Sequence, residues 1–271
     1  MKKSLCLWSL CLGLLAGART SHAQQATYIG VKGGISIPNL SSGSGGENDW
    51  NKNYTSRVGP YFGALAEFQF SPLFSLQPEI NYAAEGGKRS GKQPFTVPDE
   101  YKEMFQQAFP GRDYVYADFN NVSRINYLQV PVMGKFNFSL SRNGKLKLFA
   151  QVGPYIGFLV SAHQIVHSDH VKVYINEDDP DPLPDQAVET FFGSTKLDTS
   201  INARDELHKV NWGIQGGIGL SLDCGRGKFF IEGGGNYGFM DIQKGDEHGK
   251  NHIGAATILA GYALELRRKG S

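Results

Sequence analysis

Residues 146–161 read LKLFAQVGPYIGFLVS. Successive side chains on a strand point to opposite faces. Splitting this stretch by parity puts Leu146, Leu148, Ala150, Val152, Pro154, Ile156, Phe158 and Val160 on one face, all of them apolar. The other face carries Lys147, Phe149, Gln151, Gly153, Tyr155, Gly157, Leu159 and Ser161, which suits a tight polar interior and not hydrocarbon. A membrane-crossing helix needs about 20 consecutive apolar residues. Gln151, Gly153 and Pro154 interrupt this run, so it reads as a strand.

The same split works on 74–87, where Phe74, Leu76, Pro78, Ile80, Tyr82 and Ala84 oppose Ser75, Gln77, Glu79, Asn81, Ala83 and Glu85. It works again on 210–222, with Val210, Trp212, Ile214, Ile218 and Leu220 against Asn211, Gly213, Gln215, Gly217, Gly219 and Ser221. Noisier runs at 27–37, 58–70, 124–138, 229–242 and 253–266 bring the count to about eight, an even number as in bacterial outer-membrane barrels. The connectors alternate long (38–57), short (71–73), long (88–123), short (139–144), long (163–209), short (223–228) and moderate (243–252). Asn143-Gly144 and Cys224-Gly225-Arg226-Gly227 supply hairpin chemistry in two short ones. The expected fold is therefore all-β: a single closed antiparallel transmembrane β-barrel of about eight strands, with short periplasmic turns and long extracellular loops. Outward aromatics fall at both strand ends, Phe68, Phe70, Phe74, Phe136, Phe138 and Phe229 at one and Phe62, Tyr82, Phe158, Trp212, Tyr237 and Phe239 at the other, as two interfacial belts require. Pro131 and Pro154 fall inside strands, where a missing ladder donor calls for local bulges.

The amino terminus shows Lys2 and Lys3, an apolar stretch from Leu5 to Ala18, then Ser21-His22-Ala23, the pattern of a signal peptide cleaved after residue 23. The expected division is a signal peptide at 1–23 and an outer-membrane barrel domain at 24–271. Cys6 and Cys11 lack the preceding small residues of a lipid-attachment site. Loss of Lys2, Lys3 and Arg19 takes the 27 basic residues to 24 against 26 acidic, a formal charge of −2 that offers no footprint for nucleic acid. Cys224 is then left alone, so no intrachain disulfide forms. A mean hydropathy of −0.32 is compatible with a barrel, because polar interior residues and wet loops dilute the lipid-facing ones.

Several stretches carry a resemblance. Gly30-Val31-Lys32-Gly33-Gly34, Gln77-Pro78-Glu79-Ile80-Asn81-Tyr82, Ile125-Asn126-Tyr127-Leu128-Gln129-Val130-Pro131-Val132 and Gln151-Val152-Gly153-Pro154-Tyr155-Ile156-Gly157-Phe158, followed by Trp212-Gly213-Ile214, Phe230-Ile231-Glu232 and Asn236-Tyr237-Gly238, resemble the PorT-like outer-membrane β-barrel family of the Bacteroidetes. The resemblance runs in order along nearly the whole mature chain. It implies location in the cell outer membrane and a barrel fold, with membrane lipid and the barrel-insertion machinery as partners.

An eight-stranded barrel has an interior just wide enough for side chains. Parity places Lys32, Glu67, Glu79, Lys135, Lys147, Gln151, Glu232 and Glu265 inside, the expected members of a mutually paired polar lumen. An ion or proton path is the sharper alternative. Enzymatic chemistry has one candidate, a lip site of Ser161 and His163 with Asp169 or Glu85 as orienting acid. His163, His167, His170, His248 and His252 match no metal-ligand spacing, and the acidic run 177–181 lacks the alternation of a calcium loop. Neither a metal nor a cofactor is expected. Gly233, Gly235 and Gly238 satisfy a dinucleotide fingerprint only formally, because no helix follows them. Residues 99–109 place Tyr101, Met104, Phe105 and Ala108 at helical spacing, the pattern of a short amphipathic helix over the barrel mouth, whose apolar face is expected to cap the lumen, with contact to a partner as the alternative.

The function so reached is a non-enzymatic outer-membrane barrel whose external loops bind an envelope or extracellular protein or glycan, or serve assembly or secretion. One alternative is a soluble, lipocalin-like periplasmic barrel with apolar residues lining the inside; the other is a lipid-modifying enzyme using Ser161 and His163.

Overall fold

The structure is a computed structural model describing residues 26–42, 49, 52–112, 114–245 and 250–268; the signal segment at 1–23 and His248 lie outside them. The described residues form nine strands: β1 (Ala26–Ser42), β2 (Gly59–Gln69), β3 (Phe74–Thr96), β4 (Tyr114–Ser139), β5 (Leu146–Tyr174), β6 (Leu197–Asn202), β7 (Val210–Cys224), β8 (Gly227–Gly238) and β9 (Asn251–Arg268). Two helices accompany them among the described residues, α1 (Asp99–Ala108) and α2 (Asp185–Phe192). Eight strands form a closed antiparallel ring in the order β1-β2-β3-β4-β5-β7-β8-β9, and β9 returns to β1 over 17 residue pairs from Ala26↔Arg268 to Ser42↔Asn251. Closure removes the free edges that an open sheet would expose. β6 pairs only with the upper part of β5 and stands outside the ring.

The faces point as the alternation requires. Val152, Ile156 and Phe158 are exposed on the outer wall at 52, 41 and 44%, whereas Phe149, Gln151, Tyr155 and Leu159 are buried inside. A lipocalin-like barrel would show the reverse. Outward aromatics pair at both ends, with Phe62 stacked on Tyr82 at 4.8 Å, Trp212 against Phe239 at 5.1 Å and Phe74 against Phe136 at 5.3 Å. The short connections are ordinary hairpins. Cys224 pairs with Gly227 across Gly225-Arg226, and Gly225 has φ +63°, which glycine adopts without strain. An arginine at Val152, facing mid-bilayer, is expected to destabilise the barrel by about 2–4 kcal/mol. Reversible urea unfolding in lipid vesicles would measure this, and an unchanged midpoint would mean that this wall does not meet hydrocarbon.

Three expectations need correction. The ladder keeps its register through both prolines, with Pro131 opposite Tyr155 and Pro154 opposite Ile214, so neither sits in a bulge. Register shifts occur instead at Thr27/Tyr28, Asp118/Asn120 and Asn126/Tyr127. Residues 88–123 and 163–209 are not mainly loop, since β3, β4 and β5 continue far past the aromatic belt. There, with β6, they form a sheet capped by the two helices. Helix α1 does not use its apolar face to plug the lumen: Phe105, fully buried, packs with Val97, Val115, Ala117, Val171, Val173 and Val188 of this external lobe.

Candidate functional site

Inward residues of adjacent strands meet across the lumen in layers. Nearest the short turns, Glu67 of β2 accepts from Lys228 at 2.7 Å, Lys135 at 3.0 Å and the Ser75 hydroxyl at 3.0 Å. The Lys135 ammonium also donates to Gln77 Oε1 at 3.0 Å and lies 4.2 Å from the centre of the Phe149 ring. Gln77 Nε2 bridges upward to Glu79 at 2.6 Å and to Gln151 at 3.3 Å, and Gln151 donates to Glu232 at 2.8 Å. The middle layer centres on Lys32, an ion pair with Glu79 at 2.7 Å and a longer one with Glu232 at 3.9 Å. Asn81 donates to the same Glu79 oxygen that faces Lys32, at 2.7 Å.

Charge balances within this network. Lys32, Lys135 and Lys228 face Glu67, Glu79 and Glu232, and all six are buried. Each buried charge needs partners, because leaving water costs several kcal/mol per ion. Room for these side chains comes from glycine: a Cβ on Gly219 would stand 2.4 Å from the Phe149 ring, and one on Gly217 would stand 2.8 Å from a Glu232 oxygen. That packing role accounts for much of the glycine on the inner face of β7.

A third layer lies above. Glu85 accepts from Asn236 at 2.9 Å and Gln129 at 3.1 Å through one oxygen, while its other oxygen has no hydrogen-bond partner among the described residues. The buried Tyr127 and Tyr155 hydroxyls are likewise without partners there. Above it, under the lobe, a cavity of about 340 Å³ is lined by Leu40, Arg89, Asn121, Ile125, Leu207 and Asn251 among others.

Of the residues placed inside by parity, Lys32, Glu67, Glu79, Lys135, Gln151 and Glu232 are brought together. Lys147 is half-buried at the rim and pairs with Asp223 at 2.9 Å, and Glu265 is half-buried near the same end. Sequence reasoning missed Lys228, counted as turn although β8 begins at Gly227. The hairpin needs only two residues, so two-residue spacing from Phe230 and Glu232 places Lys228 inside. Glu85, on the polar face by parity and also the candidate orienting acid, lies in the lumen.

The lip candidates do not assemble. The Ser161 hydroxyl accepts from Asn126 at 2.9 Å, and no hydrogen bond joins it to His163 among the described residues. The register shift at Asn126/Tyr127 inserts Val160 as an extra residue and turns Ser161 and His163 to the outer face, a reversal that lasts until the second shift at Asp118/Asn120. His167 lies 3.8 Å from both Asp169 and Asp198, and His170 lies 3.3 Å from Asp185, all well exposed.

The lobe is tied down by a polar cluster at its edge. The Tyr116 hydroxyl donates to Asp49, and Lys52 joins Asp49 at 2.9 Å to Glu177 at 2.7 Å. Lys92 donates to the carbonyls of Glu177 and Asp179. The acidic run is thus partly held by lysines of other segments. Hydrogen bonds from Tyr116 and then Lys52 hold Asp49 below its usual carboxylate value. A depressed folded pKa stabilises above the unfolded value and is lost as pH falls through the folded one. Amide-exchange protection of the lobe, corrected for the intrinsic pH dependence of exchange, should therefore fall only below about pH 4, and unchanged protection at about pH 3 would show that this tie contributes nothing.

The curated proteins include no match in sequence. Among solved structures the chain is similar to Ail, the attachment invasion locus protein of Yersinia pestis (13% identity, 88% of this chain and 99% of that one, TM-score 0.34). It is also similar to Neisserial surface protein A (13%, 89% and 97%, TM-score 0.32) and to OprG of Pseudomonas aeruginosa (8%, 90% and 98%, TM-score 0.35). In sequence, the model of the outer membrane protein beta-barrel domain matches residues 22–244, from before β1 through β8. Taken with the closed ring and its apolar outer wall, that match shows that the chain belongs to the outer membrane protein beta-barrel domain family and is a protein of the outer membrane.

Proposed function

We propose that the chain is a non-enzymatic outer-membrane barrel with a plugged polar lumen, exported through a signal peptide cleaved after Ala23, whose external lobe binds an envelope or extracellular partner, protein or glycan. The strand motifs support the narrower placement among PorT-like barrels. One observation carries the plugged reading: three lysines and three glutamates, all buried, are linked from the Glu67 layer to the Lys32 layer through Gln77 and Gln151. A permeating ion would have to displace partners that already neutralise one another. Engagement of Ser161 by Asn126, with Asp169 beside His167 and not His163, supports a non-enzymatic reading, and the compact lobe supports recognition over chemistry.

Planar-bilayer recordings of the purified protein are expected to show no steady conductance. A reproducible channel on the order of a nanosiemens, as a water-filled barrel would give, overturns the plugged reading.

A further inference from the structure

The outer wall carries a last row of lipid-facing side chains at Tyr82 on β3, Leu128 on β4 and Phe158 on β5, aligned across both ladders. Four residues further along β4, roughly 13 Å at the rise of a strand, the same face presents Arg124. His163 lies directly opposite it on β5, and Lys88 stands diagonally across on β3. From the segment before β2, the Arg57 guanidinium reaches over and donates to the Glu85 carbonyl from Nε at 3.2 Å and Nη2 at 2.9 Å. Arg57 and Arg124 crowd one another: burial first, and then the Arg124 charge, press the Arg57 pKa below its ordinary value.

Neither arginine nor Lys88 has a carboxylate within ion-pair distance among the described residues. Lysines 32, 52, 135, 147, 209 and 228 each hold one. Crowded cations with no carboxylate in contact, just above an apolar wall, gain most from an anion that is itself anchored in the membrane.

We propose that Arg57, Lys88 and Arg124 form a docking site on the outer wall for a phosphate of lipid A, the phosphorylated lipid of the outer leaflet, with its acyl chains lying down the wall past Tyr82, Leu128 and Phe158. Guanidinium forks match phosphate geometry and form charge-assisted bonds with it. Basic pockets at the membrane boundary bind lipid head groups for the same reason. A soluble anion would meet the charges but leave the apolar wall unused. The proposal rests on the outer-membrane location and the outward faces, and it is independent of whether the lumen conducts.

The test is native mass spectrometry of the detergent-purified full chain with lipid A and with the same lipid A stripped of its phosphates. Preferential retention of the phosphorylated form is expected. The double variant Arg57→Gln/Arg124→Gln should bind it about 25-fold more weakly, near fivefold per charge. Arg124→Lys should keep most of the affinity, and Lys172→Gln on the lobe should change nothing. Heat-modifiable gel mobility checks that each variant closes. Equal retention of the two lipids by the unaltered protein overturns the proposal without any variant. So does wild-type binding by a closed double variant, or displacement of lipid A by an equal concentration of inorganic phosphate.

Discussion

Replacing Glu67 by glutamine is expected to destabilise the barrel by about 3–5 kcal/mol, the usual cost of removing one partner from a buried ion pair. Glu67 is the only carboxylate in contact with Lys135 and Lys228 among the described residues. The substitution keeps the shape and one acceptor but leaves two ammonium groups buried without a counter-charge. A second change separates this cause from lost packing. Glu67→Gln/Lys228→Met removes one of the orphaned cations and puts an apolar chain of similar length beside the Tyr28 ring, where the Lys228 ammonium now lies 4.0 Å from the ring centre. It should recover more than half of the loss. The measurement is reversible urea unfolding in lipid vesicles, followed by tryptophan fluorescence. If the single variant unfolds at the wild-type midpoint, the lumen is wet enough to solvate the two lysines, and the paired interior has no energetic meaning.

Phe105→Ala should have an effect of similar size but confined to the lobe. Truncating a fully buried phenylalanine costs about 3–5 kcal/mol, and Phe105 is in ring contact with Phe109 at 5.0 Å and Phe191 at 5.6 Å besides the valines beneath it. An eight-residue helix such as α2 has no stability of its own. Loss of the central ring should therefore release both helices together. Trypsin is expected to cut at Lys102 in the variant and not in the wild type, while the barrel keeps its heat-modifiable mobility. Protection of Lys102 in the variant, or loss of barrel mobility with it, would show that lobe and barrel are not separable units.

Strand character was legible wherever one face meets hydrocarbon and the other meets the lumen, because period two is then enforced on both sides. The Leu146–Val160 row is the clearest case, and eight ring strands follow from such rows with hairpin turns between them. The same signal fails above the aromatic belt. Val115, Ala117 and Phe119 of β4 face the helices, while their neighbours face water or other chain segments, so polar residues such as Asp118 and Asn120 break the membrane pattern without breaking the strand. That loss of contrast, not a change of backbone, made 88–123 and 163–209 read as loops. Much of the lumen site could be read by the same parity: Lys32, Glu67, Glu79, Lys135, Gln151 and Glu232 all lie on the expected face.

Sequence alone determined the outer wall, the eight strands of the ring and most of the interior charges, since all three depend on side-chain alternation within one strand. Tertiary structure decided which charges meet, because pairing such as Glu67 with Lys228 joins residues 161 apart through ring closure and register. It also decided that Ser161 and His163 turn outward, because a single inserted residue at Val160 reverses the side chains that follow, up to the next register shift at Asp118/Asn120, and leaves no mark in the amino-acid pattern.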